Sequence, residues 1–257
     1  MTEMSKLVGV DDILHNRNIL RQICAEILGT LLLVFIGVGA CATTATDGSK
    51  ECEAFVIVRI ALTFGLTVAT LAEAIGHVSG CHINPAVSVG LIFTGQCSLL
   101  KALMYIIGQC VGAIIGAFLI VQMLDGIATN KSNLGVTGLG TGISSGQAVL
   151  IEAVISFVLV MVVCSILDEE RTAMTGSAPL AIGLTISAAH LFAIPYTGSS
   201  MNPARSFGPA VIQNNYDFLW IYWVGPILGG AVAGLLYRLL FKVRVEPTVA
   251  TSFNERY

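Results

Sequence analysis

The sequence predicts an all-α membrane protein with six transmembrane helices and two re-entrant half-helices, arranged as an inverted repeat of three spans each. Three observations lead to this prediction: an apolar composition, six apolar segments of spanning length, and a stretch that occurs twice. Hydrophobic residues make up 55% of the 257 residues and charged residues only 11%, and the mean hydropathy is +0.83. Because an ordinary water-soluble domain is far less apolar and more charged, this composition indicates a bilayer environment.

The spanning segments can be read from the hydropathy pattern. Each is close to the ~20 residues that a helix needs to cross the hydrocarbon. The six segments are 22–43, 54–72, 101–122, 147–167, 179–196 and 218–241. Two further apolar segments, 84–93 and 202–212, begin at Asn-Pro and have only about half of that length. We expect these two to enter the membrane without crossing it.

The duplicated stretch connects the two halves of the chain. Gly80–Ser88 recurs as Gly198–Ser206, 118 positions later. At the same offset, ten identities fall within 29 positions: Leu62, Gly65, Leu66, Thr67, Gly80, Asn84, Pro85, Ala86, Ser88 and Gly90 recur as Leu180, Gly183, Leu184, Thr185, Gly198, Asn202, Pro203, Ala204, Ser206 and Gly208. Because each copy holds an odd number of spans, the second copy must enter the membrane with the opposite orientation. In inverted repeats, broken helices at matching positions indicate a substrate path near the midplane.

The basic residues predict the orientation of the chain. With the N-terminus inside, nine of them lie on the cytoplasmic side and Lys50, Arg59 and Lys131 lie outside, as the positive-inside rule favours. The predicted organisation is a cytoplasmic tail (1–21), one channel domain (22–241) made of repeat one (about 22–122), an external connection (123–146) and repeat two (about 147–241), and a second cytoplasmic tail (242–257). The connection contains a sequon, which makes Asn130 a candidate N-glycosylation site. We expect a multi-pass protein of the plasma membrane with both termini in the cytoplasm.

The Asn-Pro-Ala motifs have a specific chemistry. Asn is a favoured N-cap because its side-chain oxygen accepts a hydrogen bond from the first turn, and Pro suits the first helical position. Asn84-Pro85-Ala86 and Asn202-Pro203-Ala204 are thus predicted to begin the two half-helices. Their amide groups would then present paired donors at the positive ends of two helices, which a water oxygen can accept and which repel a cation.

Two Asn-Pro-Ala motifs in six spans, the second extended to Asn202-Pro203-Ala204-Arg205-Ser206, resemble the aquaporin (major intrinsic protein) family over roughly residues 20–241. The segments 76–80 and 177–184 are similar to its animal, aquaporin-1-like, water-selective branch. The resemblance implies a selectivity filter formed by Phe64, His190, Ser199 and Arg205. Arg205 is notable on its own, since a charge within an apolar segment costs ~3 kcal/mol or more.

The resemblance also implies which solutes pass. Glycerol-conducting relatives have Gly at the position of His190 and Asp at that of Ser206, whereas Tyr222 and Trp223 match the water-selective pattern. We therefore expect passive water conduction that excludes protons and ions, with no chemical step, no cofactor and no metal. Homotetramers with one pore per subunit are implied in the same way. Nucleic acid is not an expected partner, because the net charge is −3 and the 13 basic residues are dispersed.

Four further residues are candidates for roles around the pore. Glu26 and Glu152 begin equivalent apolar runs, and such carboxylates either relay protons in transporters or, as the resemblance implies, anchor the re-entrant loops. Ser199 departs from the mercury-sensitive Cys of many mammalian water channels. Its repeat mate Cys81 is a candidate pore-lining thiol that mercurials would reach from inside, and His82 is a candidate pore-lining neighbour.

Three alternatives remain open at this point. A facilitator of glycerol or another small neutral solute has the same architecture. A carboxylate-dependent secondary transporter would require an ion gradient and would lose flux on Glu26→Gln. A junction-forming membrane protein would show low water flux together with organised membrane contacts. An enzyme is not expected, because the sequence has no catalytic triad, phosphate loop or metal-ligand spacing.

Overall fold

The structure, a computed structural model, describes residues 7–42, 53–124, 134–171 and 176–242, and every regular element in these ranges is helical. In chain order these elements are α1 (Val10–Leu14), α2 (Ile19–Leu33, continued by a π-helical segment Val34–Val38 and a turn Gly39–Ala42), α3 (Glu53–Ser79), α4 (Pro85–Thr94), α5 (Leu99–Leu124), α6 (Ser145–Ile166), α7 (Ala178–Thr197), α8 (Pro203–Gln213) and α9 (Ile221–Leu236, continued by a π-helical segment Tyr237–Phe241). Asn130, the candidate glycosylation site, lies outside the described residues, as do residues 1–6 of the first predicted tail and 243–257 of the second.

Six helices are long and apolar enough to cross a membrane: α2 with its extension to Cys41, α3, α5, α6, α7, and α9 with its extension to Phe241. The predicted number of spans is therefore confirmed. Helix α3 runs seven residues beyond the predicted apolar segment 54–72, because Glu73 and His77 interrupt the hydropathy without interrupting the helix. The helix ends only where Gly80 adopts a φ of 89°.

The packing of the helices shows the inverted repeat. Within repeat one α2 packs against α5, and within repeat two α6 packs against α9. Helices α3 and α7 pack against each other across the two repeats. Each half-helix lies against the last span of the other repeat, α4 on α9 and α8 on α5. The two half-helices are thus held inside the bundle by the opposite half of the molecule.

Glycines allow these close crossings. A Cβ atom on Gly234 of α9 would overlap the backbone carbonyl of Gly90 in α4, and one on Gly112 of α5 would overlap the carbonyl of Ile27 in α2. Small residues of this kind let helix backbones approach closely where apolar burial gives little driving force. Glycines that are four residues apart in the third and sixth spans, Gly112 with Gly116 and Gly230 with Gly234, therefore serve packing within one subunit.

The outer surface is apolar. Leu20, Leu150 and Leu240 have 65–73% of their surface exposed. Buried positions, in contrast, include many polar side chains, with Glu26 and Glu152 among them. A water-soluble protein has the opposite distribution, with apolar side chains mostly inside and polar ones mostly outside. The distribution found here is the one that a hydrocarbon environment requires. The chain is a multi-pass membrane protein.

Candidate functional site

The two half-helices begin at asparagine caps. Asn84 has extended backbone angles, and its Oδ1 accepts a hydrogen bond from the Ala86 amide at 2.8 Å. Asn202 has the same conformation, and its Oδ1 accepts from the amides of Ala204 at 3.0 Å and Arg205 at 3.3 Å. With proline at the first helical position of each, the local sequence produces two helix N-termini with the predicted caps.

The caps also join the two repeats. Nδ2 of Asn84 donates to the carbonyl of Met201 at 2.9 Å, and Nδ2 of Asn202 donates to the carbonyl of Ile83 at 2.8 Å. The oxygen of each amide thus accepts a hydrogen bond from its own helix, and one N–H donates to the loop of the other repeat. A second N–H remains on each amide, and both asparagines line the same cavity.

The loops before the caps have an uncommon backbone. Cys81, Ile83, Ser199 and Met201 have φ values of 48°, 40°, 52° and 56°. These are two pairs at the 118-residue offset of the repeat. Residues other than glycine adopt such left-handed angles at a cost, above all β-branched Ile83, so the surrounding structure must hold them there.

Glu26 holds the first loop. It has no exposed surface. Its Oε1 accepts from the amide of His82 at 2.9 Å and the hydroxyl of Ser79 at 2.7 Å. Its Oε2 accepts from the amide of Ile83 at 2.7 Å and Nε2 of Gln109 at 2.8 Å. Four donors that would otherwise be unsatisfied in the membrane therefore share one carboxylate.

Glu152 has the same relation to the second loop. Its Oε1 accepts from the amide of Ser200 at 3.0 Å and the hydroxyl of Thr197 at 2.6 Å, and its Oε2 accepts from the amide of Met201 at 2.8 Å. The residues that donate to the two glutamates are again 118 positions apart, Ser79 with Thr197 and Ile83 with Met201. Both carboxylates are thus occupied by their own loops.

Several residues support the loops through hydrogen bonds that were not predicted from the sequence. Tyr105 donates its hydroxyl to the Ser79 carbonyl at 2.9 Å, and Tyr222 does the same to the Thr197 carbonyl at 2.8 Å. Gln109 could have been identified from the sequence, because an amide side chain in the middle of an apolar span needs a hydrogen-bond partner. The hydroxyls of Ser79 and Thr197 could have been found from the repeat, because both copies keep a hydroxyl at that position.

Three of the residues assigned to the filter meet in space. The rings of Phe64 and His190 stack with centroids 4.7 Å apart, and Cζ of Arg205 lies 5.0 Å from the centroid of Phe64. Arg205 Nη1 donates to the carbonyl of Gly135 at 2.5 Å, and Nη2 lies 3.9 Å from Sγ of Cys41. These last two partners come from distant parts of the chain and were not expected from the sequence.

The hydrogen bonding of His190 defines what it offers. Its Nδ1 lies 3.0 Å from the carbonyl of Ile186, which can only accept, so Nδ1 carries the proton. Nε2 is then an acceptor, and it has no partner among the described residues; the same holds for Nε of Arg205 as a donor. Both side chains belong to residues that line the cavity.

One cavity of about 80 Å³ connects these groups. Its lining includes Phe64, His190 and Arg205 together with Asn84 and Asn202. Much of the remaining wall is apolar: Leu33, Val68, Val87, Leu91, Leu159, Val163, Ile166, Leu167, Ile182 and Ile186 line it. A conduit with apolar walls and a few fixed hydrogen-bonding groups suits a small neutral molecule.

The remaining predicted site residues differ in position. Cys81 and His82 line the cavity, and Nδ1 of His82 is 3.0 Å from the Ser88 hydroxyl. Ser199 is fully buried, its hydroxyl has no partner among the described residues, and it is not one of the described residues that line the cavity. The described residues contain no group of three or more His, Cys, Asp or Glu side chains that could hold a metal ion.

Comparison with known proteins agrees with this arrangement. Residues 13–237 match the family model described as Major intrinsic protein. The chain is similar to aquaporin FA-CHIP of Pelophylax lessonae, with 43% identity over 88% of this chain and 84% of the relative. It is similar to aquaporin-1 of Homo sapiens, with 45% identity over 87% and 83%, and to aquaporin-4 of Mus musculus, with 46% identity over 88% and 69%.

The fold is also similar to a solved structure. The aquaglyceroporin from Plasmodium falciparum superimposes with a TM-score of 0.77 at 25% sequence identity, covering 86% of this chain and 96% of that one. This family consists of membrane channels and not of enzymes. Since the family model covers most of the chain and the relatives are more than 40% identical over most of its length, the chain belongs to the major intrinsic protein (aquaporin) family.

Proposed function

We propose that the chain forms a water-selective channel, which conducts water passively down osmotic gradients and excludes protons and ions. The observation that carries this proposal is that Phe64 contacts both His190 and Arg205 through its ring. These three residues line the same cavity as the two asparagines. Selectivity in this family is understood in terms of pore diameter, lining hydrogen-bonding groups and electrostatic barriers. The lining of this cavity has bulky rings that limit its diameter, polar groups that can form hydrogen bonds, and the charge of Arg205.

Phe64, His190 and Arg205 act as a filter in this proposal. Two stacked rings and a guanidinium leave little room, so a water molecule must give up most of its neighbours there. Polar groups of His190 and Arg205, which both line the cavity, are proposed to replace some of the lost hydrogen bonds. Glycerol, which is wider and carries an apolar edge, would have to displace the Phe64 ring. Ser199 is proposed as the fourth member on the basis of the family resemblance.

The paired asparagines act as the proton barrier. Each stands at the N-terminus of a half-helix, where the aligned peptide dipoles give a partial positive charge. A central water that accepts from the remaining N–H of both amides has its oxygen occupied, so it cannot accept a proton from the next water. The same positive ends and Arg205 oppose a cation.

Glu26 and Glu152 are proposed as anchors of the loops. Each carboxylate already accepts two backbone amides and at least one side-chain donor. A relay group would need to face the pathway, and neither glutamate is among the described residues that line the cavity. The geometry therefore favours the anchor role over the transporter alternative. Cys81 and His82, which line the cavity, are proposed as pore-lining residues beside the first asparagine.

We further propose a homotetramer in the plasma membrane with both termini in the cytoplasm. The assembly follows from the family resemblance, and the orientation follows from the distribution of basic residues. Light scattering of the purified protein in detergent would measure the assembly, and a monomeric mass would contradict it. A C-terminal tag that is stained in intact cells would contradict the orientation.

Stopped-flow light scattering on proteoliposomes tests the proposed permeant. Under a gradient of an impermeant osmolyte, we expect fast water efflux with a low activation energy. Under a glycerol gradient, we expect glycerol entry at the rate of empty liposomes. The similarity to an aquaglyceroporin supports a second candidate, a glycerol facilitator, and rapid glycerol entry would favour it. Water flux at the lipid background with folded protein would favour the junctional alternative.

A further inference from the structure

The filter cluster is supported by one short part of the first span. Helix α2 changes from α to π geometry at Val34–Val38 and returns to α geometry at Gly39–Ala42. A π-helical segment inside a helix is uncommon and often occurs at a functional site. We refer to residues 37–41 as the backing segment, because it contacts the filter cluster at several points.

The first contact is between Gly37 and Phe64. A Cβ atom built on Gly37 would lie 2.6 Å from Cε1, 2.8 Å from Cδ1 and 2.9 Å from Cζ of the Phe64 ring. All three distances are shorter than the separations that real Cβ atoms show. The ring of Phe64 therefore occupies the space that any side chain at position 37 would need.

The second contact involves Arg205. Its guanidinium donates to the carbonyl of Gly135 and lies against Sγ of Cys41. A Cβ atom on Gly135 would lie 2.7 Å from Cγ1 of Val38 and 3.0 Å from Cβ of Cys41. Arg205 and the carbonyl that binds it thus rest on the same segment that supports Phe64.

The ring of Phe64 has few directions in which to move. It is 2% exposed, it stacks on His190 and it lies under Arg205, and all three side chains line the cavity. A methyl group at position 37 would require the ring to retreat by roughly 1 Å to restore an ordinary van der Waals separation. Gly37 contacts one edge of the ring and the ring is itself part of the cavity wall, so we expect that displacement to narrow the cavity.

We propose that Gly37 is a positioning residue that sets the width of the pore by letting the Phe64 ring withdraw into the first span. The proposal rests on the proposed function, since it assumes that water passes Phe64. The width of the pore would then depend on Gly37, a residue that does not itself line the cavity. In this chain the absence of a side chain at position 37 keeps a filter with both Phe64 and His190 open to water.

The experiment compares Gly37→Ala with Gly39→Ala in proteoliposomes. Gly39 is two residues away in the same span, a Cβ atom there has no neighbour within 4 Å, and both substitutions change the helix propensity equally. We expect Gly37→Ala to lower the water permeability per channel by roughly threefold or more. The reason is that the flux through a narrow pore depends strongly on its diameter. Gly39→Ala is expected to match the wild type.

A double variant distinguishes positioning from damage to the fold. Phe64→Leu in the Gly37→Ala background removes the ring that the new methyl group displaces, so water permeability is expected to return to that of Phe64→Leu alone. A loss caused by general instability would persist in the double variant. Equal fluxes of Gly37→Ala and Gly39→Ala, or a loss that Phe64→Leu does not rescue, would overturn the inference. If wild type and Gly39→Ala both fail to conduct water, the proposed function is wrong and the inference falls with it.

Discussion

Arg205 is a cation with only 2% of its surface exposed, in a chain that avoids charge in its spans. Burial of an ion costs several kcal/mol unless partners compensate. Here the Gly135 carbonyl and the Phe64 ring provide part of that compensation. Its counterpart in the first repeat is Val87, so the fold tolerates an apolar residue at this position. In the proposed function, the pore and not the packing accounts for the charge.

The substitution Arg205→Val tests this explanation. We expect the variant to fold, since valine is the residue at the equivalent position, and to conduct water at a rate similar to wild type. Because the guanidinium no longer occupies the filter, glycerol and urea entry should rise clearly above the lipid background. Stopped-flow traces under each solute gradient measure both effects. Glycerol and urea entry as slow as in wild type would contradict the role of Arg205.

Cys81 and Ser199 differ in accessibility although they are repeat mates. Cys81 lines the cavity, whereas Ser199 is fully buried. We expect mercurials applied on the cytoplasmic side to block water flux in wild type and to have no effect on Cys81→Ser. Cys110→Ser is the control, since Cys110 is not among the residues that line the cavity. An equal block of Cys81→Ser and wild type would exclude Cys81 as the site.

At the scale of elements, the half-helices depend on the rest of the molecule. Helices of 10 and 11 residues are marginal on their own. Their N-termini are fixed by asparagine caps and by the glutamate networks, and their sides lie on the last span of the other repeat. The element that faces the permeant is thus held by contacts from both halves.

Glu26→Gln tests the anchor role at this scale. The amide would turn an NH2 group toward donors, so at least one donor would lose its partner, at about 1–3 kcal/mol per group. We expect a lower thermal unfolding midpoint in detergent and reduced water flux, with no dependence on ion gradients. Glu73→Gln, an exposed position in α3, is the control. A loss of flux that appears only under an ion gradient would favour the transporter alternative.

The glycine contacts give a second prediction for the elements. In Gly234→Ala the new methyl group would overlap the Gly90 carbonyl, so α9 and α4 must separate. We expect a loss of about 1–3 kcal/mol, as for other overpacked sites, and a lower unfolding midpoint. Gly76→Ala, where a Cβ atom has no neighbour within 4 Å, should be neutral or slightly stabilising. The same stability for both variants would show that the crossing is not tight.

At the scale of the whole molecule, the two repeats give the cavity different ends. The repeat mates of Phe64, His190 and Arg205 are Ile182, Ala72 and Val87, and all three mates also line the cavity. The duplicated framework therefore supplies a symmetrical conduit. Among the described lining residues, these three mates are aliphatic, so the aromatic and charged groups of the proposed filter are not repeated at the matching positions.

The sequence predicted the parts of the fold that depend on local or repeated signals. Span lengths follow from hydropathy, and the caps at Asn84 and Asn202 follow from the preferences of Asn-Pro. The contacts of Arg205 with Gly135 and Cys41 could not be predicted, because they join segments far apart in the chain. The end of α3 was misplaced because hydropathy reports the membrane and not the hydrogen bonds of the helix. The π-helical segment at Val34–Val38 has no sequence signal of its own.

Water conduction by the pore and its exclusion of protons can both be measured on the same vesicles. Proteoliposomes containing the wild-type chain and a trapped pH-sensitive dye are subjected first to an osmotic step and then to a pH step. We expect water efflux well above that of empty liposomes, together with proton entry at the empty-liposome rate. Fast proton entry alongside the water flux would contradict the role of the paired asparagines, and water flux at the lipid background would contradict the channel itself.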